Sequence, residues 1–165
     1  MAEQLAIAGG SPVKSDAYPA WPYFDAKDEA ILLEALRGSG RHWGRFDVRL
    51  TGTRMAFRVI ATMMNLRSRL TGIATGDQGI FVTRALFETA GRFPDIALME
   101  DIALCKTLKA FGGPLALRHR IVASGRRWEK HGVLRTILLM WRLRLQYWLG
   151  ANPDTLAKIY VPHKL

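Results

Sequence analysis

The sequence predicts a mixed α/β fold, and three observations carry that prediction. Residues 45–50, Arg-Phe-Asp-Val-Arg-Leu, alternate polar with apolar as a half-buried strand does. Three longer runs, over 55–70, 100–111 and 133–149, repeat apolar residues at the three-to-four spacing of a helix. Between them fall backbone stops, of which Gly112-Gly113-Pro114 is the strongest.

In chain order, Gly9-Gly10, Pro12, Pro19 and Pro22 make the opening turn-rich. A helix is expected from Asp25 or Lys27 to Leu36. Ile31, Leu32, Leu33, Ala35 and Leu36 give it an apolar side, and Gly38-Ser39-Gly40 stops it. After the strand at 45–50, the helix over 55–70 is expected to place Phe57, Ile60, Met63 or Met64, and Leu66 or Leu70 on one side, with methionine as core filler. Residues 76–82 read as a loop running into a short strand, 84–90 as a short helix, and Gly91 to Asp95 as a turn. The helix over 100–111 should turn Ile102, Leu104 or Cys105, and Leu108 inward and Lys106 and Lys109 outward. Short strands at 115–117 and 120–123 flank a basic corner, Arg118-His119-Arg120. A long helix over 133–149 ends at Gly150, and a short one over 153–159 follows.

A length of 165 residues suits one domain that buries roughly two-thirds of its unfolded surface. The apolar share of 49% supplies a core, which argues against wholesale disorder. Cys105 is the single cysteine, so an internal disulfide is impossible and a reducing, cytoplasmic setting fits. The opening MAEQLAIAGGSPVKSD lacks the cationic start and apolar run of a secretory signal. No run reaches about 18 uninterrupted apolar residues; the longest candidate, 133–149, is broken by Arg135, Arg142 and Arg144. The net charge of +10 is uneven. Residues 1–40 hold three basic and six acidic side chains, while the rest holds 21 basic and eight acidic, a step that suggests two unlike pieces. A field of that sign draws phosphorylated small molecules, anionic lipid or nucleic acid, without choosing among them.

Four groups of residues carry candidate chemistry. Glu100-Asp101 stands in the first turn of its helix, where the positive helix end favours ionised carboxylates. Asp101 is placed to accept a proton; the alternative is a charge that only caps the helix. Arg126-Arg127-Trp128 sets guanidinium forks suited to phosphate beside a ring suited to stacking, or else is a charged cluster on a solvated turn. His131 is a metal ligand, a phosphate contact or a surface histidine. Gly76 and Gly79 flank Asp77-Gln78 and either let the backbone approach a ligand or shape a tight turn.

From about Gly44 onward the chain resembles the carboxyl-terminal half of a family 2 glycosyltransferase with the A-type nucleotide-sugar fold. The likeness is greatest to a small bacterial subgroup encoded beside radical-SAM and selenoprotein-like domains. It rests on MMNLRSRLTGIATGDQGIFVTRALFETAGRFPDIALMEDIALCKTLKAFG followed by SGRRWEKHGVLRTILLMWRLRLQYWLG, and covers around 115 residues. The resemblance implies inverting transfer of a sugar from a nucleotide-diphosphate sugar to an acceptor hydroxyl. It makes Gly76-Asp77-Gln78 the loop lining the donor and acceptor pocket, Asp101 the catalytic base, Glu100 a placer of the acceptor, and Arg126-Arg127-Trp128 the arginine-tryptophan element. In that element Ser124 stands where the family has glutamine. His131 matches the late histidine, often a ligand of the family's Mg²⁺ or Mn²⁺. The amino-terminal nucleotide-binding half and its Asp-x-Asp metal motif are missing, since Asp25 and Asp28 are spaced Asp-x-x-Asp. The expectation is therefore a partial fold: residues 1–40 form an unrelated segment, 41–165 a glycosyltransferase-like region inactive alone, with a complementing chain as one possible partner. Within residues 1–40, GGSPVK, PAWPYFD and DEAILLEAL resemble the amino-terminal segment of pyridoxal-phosphate sugar aminotransferases, with no catalytic residue carried over.

A second reading is a non-catalytic module that binds a membrane surface or a partner, because residues 133–149 combine Trp141, Tyr147 and Trp148 with arginines. Against it, Arg142 and Arg144 fall nearly opposite each other on a helix. Nucleic acid is not expected as a partner: no finger, RNP-type or helix-turn-helix signature is present, and the basic residues are dispersed.

Overall fold

A computed structural model describes residues 26–53 and 55–160, except for the side chain of Arg127. The turn-rich opening and most of the aminotransferase-like segment lie outside the described residues. The chain divides after Glu34. Helix α1 (Ala26–Ser39) opens in the first unit and ends in the second, where Gly40 and Arg41 donate their amides back to the carbonyls of Arg37 (3.1 Å) and Leu36 (3.0 Å).

The second unit runs β1 (Trp43–Leu50), α2 (Met55–Thr71), a 3-10 turn (Gly76–Gln78), β2 (Ile80–Val82), α3 (Arg84–Thr89), α4 (Glu100–Lys109), β3 (Leu115–Ala123), α5 (Arg126–His131), α6 (Val133–Trp148) and α7 (Pro153–Tyr160). It is a mixed α/β fold around a three-stranded sheet of order β2-β1-β3, with β2 antiparallel and β3 parallel to β1. Apart from β3, the elements expected from the sequence occur in the order expected, and the structure adds the short helix α5.

Where two short strands were expected, β3 is one strand with an irregularity. Ala116 lies opposite Arg45 and Arg120 opposite Asp47, so Leu117, Arg118 and His119 face Phe46 alone. The basic corner is thus a bulge, which fits two extra residues into β3 without ending the strand. On the other side of β1 the partner strand stops early: β2 pairs only with Trp43, Gly44 and Arg45. Beyond it the Asn65 carboxamide takes the place of a strand, accepting from the Val48 amide (2.8 Å) and donating to the Val48 carbonyl (3.1 Å). Buried backbone groups need partners, and a carboxamide carries both halves of a peptide group.

Three apolar clusters form the core. Trp43, Ala74, Leu86, Leu104, Cys105 and Leu108 make one; Val48, Leu50, Phe57, Ile60 and Ala61 the second; Met99, Ile102, Leu143 and Leu156 the third. Helix α4 buries Ile102, Leu104, Cys105 and Leu108 and exposes Lys106 and Lys109, as its spacing predicts. Helix α2 departs from expectation. It buries Phe57, Ile60 and Ala61 with Met64 against them, but Met63, Leu66 and Leu70 face outward. Apolar residues occupy both of its faces, so periodicity alone does not say which is inside.

Under the sheet lies a charged knot. Arg45 has no exposed surface and donates to Asp47, whose other oxygen accepts from Arg69 at 2.7 Å. Arg45 also reaches the carbonyls of Phe46 (3.2 Å) and Asn65 (3.3 Å). Burial alone would raise the Asp47 pKa, but the hydrogen bonds from Arg45 and Arg69 outweigh it and hold the carboxyl below its ordinary range. Among the described residues no helix is long and apolar enough to cross a membrane.

Candidate functional site

Helix α4 runs antiparallel to the segment leading into the 3-10 turn, and a contact ties the two at each successive turn. Lys109 donates to the Thr71 carbonyl (2.6 Å), the Cys105 thiol to the Ala74 carbonyl (3.8 Å), and the Gly76 amide to the Asp101 carboxylate (2.9 Å). The site is therefore assembled where the start of α4 meets the glycine turn.

Met99 sets the aim of that helix start. It is buried and left-handed, with φ of 71°, a conformation non-glycine residues adopt uncommonly. No side chain caps α4 in front of it. Such backbone strain concentrates where a side chain must be held at an unusual angle. Asp101 then receives its own neighbour's amide, from Ile102 at 2.7 Å, on one oxygen and the Gly76 amide on the other.

Burial is the largest influence on Asp101 and raises its pKa. The Gly76 and Ile102 amides and Arg67 pull the other way, Glu100 adds to the rise, and the net direction is up. A carboxylate shifted toward neutrality is a better proton acceptor at working pH than an ordinary one, because acceptor strength and the ionised fraction are both retained. Glu100 is exposed beside it.

Arg67 is the member of this site that the sequence reading passed over. The Nε and Nη2 atoms of its side chain are buried and have no hydrogen-bond partner. They form one edge of the guanidinium, the edge that takes a carboxylate or phosphate side-on. Burial lowers its pKa, while Asp101 and Cys105 act to raise it, which places all three in one electrostatic neighbourhood. The signal in the sequence was an arginine at a position flanking the buried face of α2, between Met64 and Ser68.

The glycine loop divides by role. Gly76 is exposed, needs no special backbone angle, and has nothing within 4 Å of where a Cβ would stand. Asp77 is also exposed. Gln78 is fully buried; its amide nitrogen donates to Ser68 Oγ (2.9 Å) and its oxygen accepts from the Thr75 amide (3.3 Å), so it fastens the turn from within. Gly79 is left-handed, and a Cβ there would stand 3.0 Å from Ile121 and 3.2 Å from the Phe46 ring. Glycine is needed at that position for the turn to lie against β1 and β3.

The later candidates lie past the carboxyl ends of the two parallel strands. Gly125 donates to Thr51 Oγ1 (2.9 Å), and Arg126 Nε donates to Ser124 Oγ (3.2 Å) on an exposed turn. Trp128 packs partly buried against the Val48, Leu50 and Phe57 cluster, leaving less of its ring for stacking than the sequence suggested. The Arg127 side chain lies outside the described residues. His131 is half-buried at the end of α5. Among the described residues, no hydrogen bond or core contact joins Asp101 to Arg126 or Trp128. Gly76 and Asp101, by contrast, are joined directly.

Among the described residues no three His, Cys, Asp or Glu side chains converge to hold a metal ion. Searches of protein-family models, curated proteins and solved structures returned no match to this sequence.

Proposed function

We propose that this chain is the acceptor-side half of an A-type nucleotide-sugar glycosyltransferase, operating in the cytoplasm and inactive without a nucleotide-binding half. One observation supports this more than any other. The carboxylate that the motif order names as the base is half-buried, held by the Gly76 amide at 2.9 Å, and shifted upward in pKa. A helix-capping charge on a solvated end would have none of these three properties together.

In this reading the acceptor hydroxyl gives its proton to the free lone pairs of Asp101 as its oxygen attacks the anomeric carbon. The nucleoside diphosphate leaves with the electron pair of the broken C–O bond, and configuration inverts. Glu100 lies exposed beside the base, where it can bind acceptor hydroxyls. The unfilled edge of Arg67 supplies fixed positive charge near the base. Where a Mg²⁺ or Mn²⁺ serves the donor diphosphate, His131 is the residue of this region that the motif order offers as a ligand.

The test supplies that half as a separate chain taken from a family 2 transferase and measures nucleoside diphosphate release from a panel of UDP- and GDP-sugars. The chain by itself is expected to release none. With the added half, transfer should appear and fall by roughly 10²–10⁴-fold in Asp101→Asn, the usual worth of a general base. Transfer that is restored yet indifferent to Asp101→Asn would remove the proposed base.

A further inference from the structure

Helix α6 turns a complete apolar stripe away from the protein. Leu134, Leu138, Trp141, Leu145 and Trp148 recur at steps of four, three, four and three residues, and each is between 56% and 76% exposed. Leu143, with no exposed surface, marks the opposite side of the helix. At about 100° per residue, the centre of the stripe stands about 180° from Leu143. This helix thus has two apolar faces, one serving the core and one facing solvent.

The charges around the stripe identify its occupant. Helix α6 contains three arginines and no acidic residue. Arg135 and Arg142 lie about 80–100° to one side of the stripe and Arg144 about 80° to the other. The near-opposition of Arg142 and Arg144 is therefore a pair of flanks. Arginines so placed can reach outward from an apolar seam while their stems cover its margins. Two tryptophans within the stripe add rings suited to the boundary between hydrocarbon and headgroup.

A second copy of the chain is the rival occupant, and charge disfavours it. Pairing α6 with α6 sets arginine against arginine in either direction. The other outward apolar seam, Met55, Val59, Met63, Leu66 and Leu70 on α2, also lies on a helix without acidic residues and carries Arg58 and Arg69. Neither seam offers the other a counter-charge.

We propose that α6 is a docking helix for an anionic phospholipid surface. It lies flat, with Trp141, Trp148 and the three stripe leucines at the acyl boundary and its arginines on lipid phosphates. This inference stands on the exposed face alone and is independent of the glycosyltransferase reading.

The test is sedimentation of the full chain with vesicles of phosphatidylcholine, with and without phosphatidylglycerol, over a salt series. Binding is expected only with phosphatidylglycerol and should weaken as salt rises. Leu138→Gln/Trp141→Gln should reduce partitioning by about tenfold or more, and Leu134→Gln/Leu145→Gln should do the same. Arg135→Gln/Arg142→Gln should cost about fivefold per arginine. Val59→Gln/Met63→Gln on α2 should change nothing, and circular dichroism should show all four variants folded, since every changed side chain is exposed. Several results would overturn the proposal: no binding at low salt, equal binding to pure phosphatidylcholine, or binding that survives both stripe variants. A dimer seen by analytical ultracentrifugation that dissociates in the stripe variants would assign the face to a second copy. Full competition by soluble polyglutamate would assign it to an acidic protein.

Discussion

Replacing Asp47 with asparagine keeps the shape of the side chain and removes its charge. In the wild type that carboxylate answers two arginines, one of them, Arg45, without exposed surface. Arg45 Nε already lacks a hydrogen-bond partner. After the substitution Arg45 keeps the Phe46 and Asn65 carbonyls at 3.2 and 3.3 Å and a neutral amide oxygen at position 47, all of which bind the cation without neutralising it. Removing one partner of a buried ion pair costs about 3–5 kcal/mol, and the surviving backbone acceptors place this case near about 3. With a urea m-value of about 1.5 kcal/mol/M, the midpoint should fall by about 2 M at unchanged slope. The pH dependence gives a second, independent reading. Because the folded-state pKa of Asp47 is lowered, its contribution is present above the unfolded carboxylate pKa and is lost as pH falls through the folded value. The gap between wild type and Asp47→Asn should therefore close in acid. A loss under about 1 kcal/mol at neutral pH, or a gap that stays constant on acidification, would mean that the knot is not what secures the sheet.

Asp101→Asn should show the opposite trend. With its folded pKa raised, Asp101 contributes fully below the unfolded pKa and loses that contribution as pH climbs through the folded value, so the variant should gain on wild type between acid and neutral pH in urea titrations. The Cys105 thiol, fully buried and pushed up to about 11, should react with an aromatic disulfide only through opening of the fold; its labelling rate should rise steeply with urea, and fast labelling in buffer would contradict its placement. Gly125→Ala drives a methyl into the Thr51 carbonyl oxygen, a backbone atom that cannot swing aside, and should cost about 1–3 kcal/mol in thermal or urea unfolding.

Most of the order of elements was legible because those elements are announced locally. Alternation gave β1, the Gly112-Gly113-Pro114 stop gave the end of α4, and the α4 core positions followed from spacing. Two matters needed the third dimension. Helices α2 and α6 each carry apolar residues on more than one side, so the sequence period marks a helix without naming its inner face. The Asp101–Gly76 bond spans 25 positions, and Arg67 comes from another helix again; composition does not reveal that these meet. Motif order brought Asp101 and Gly76 into the same expectation. Nothing local distinguished Arg67 from the other arginines, since its distinction is the company it keeps once buried.

The carboxamide seated on Val48 limits how this small sheet can grow. A strand arriving from elsewhere needs a free row of amides and carbonyls, and on that stretch of β1 the row is already engaged by a side chain from the same molecule. Growth by strand addition is left to the outer margins of β2 and β3, the latter interrupted by its bulge. Any companion polypeptide that completes the sheet must approach from those flanks, and Asn65 acts as a stopper against unwanted stacking of chains.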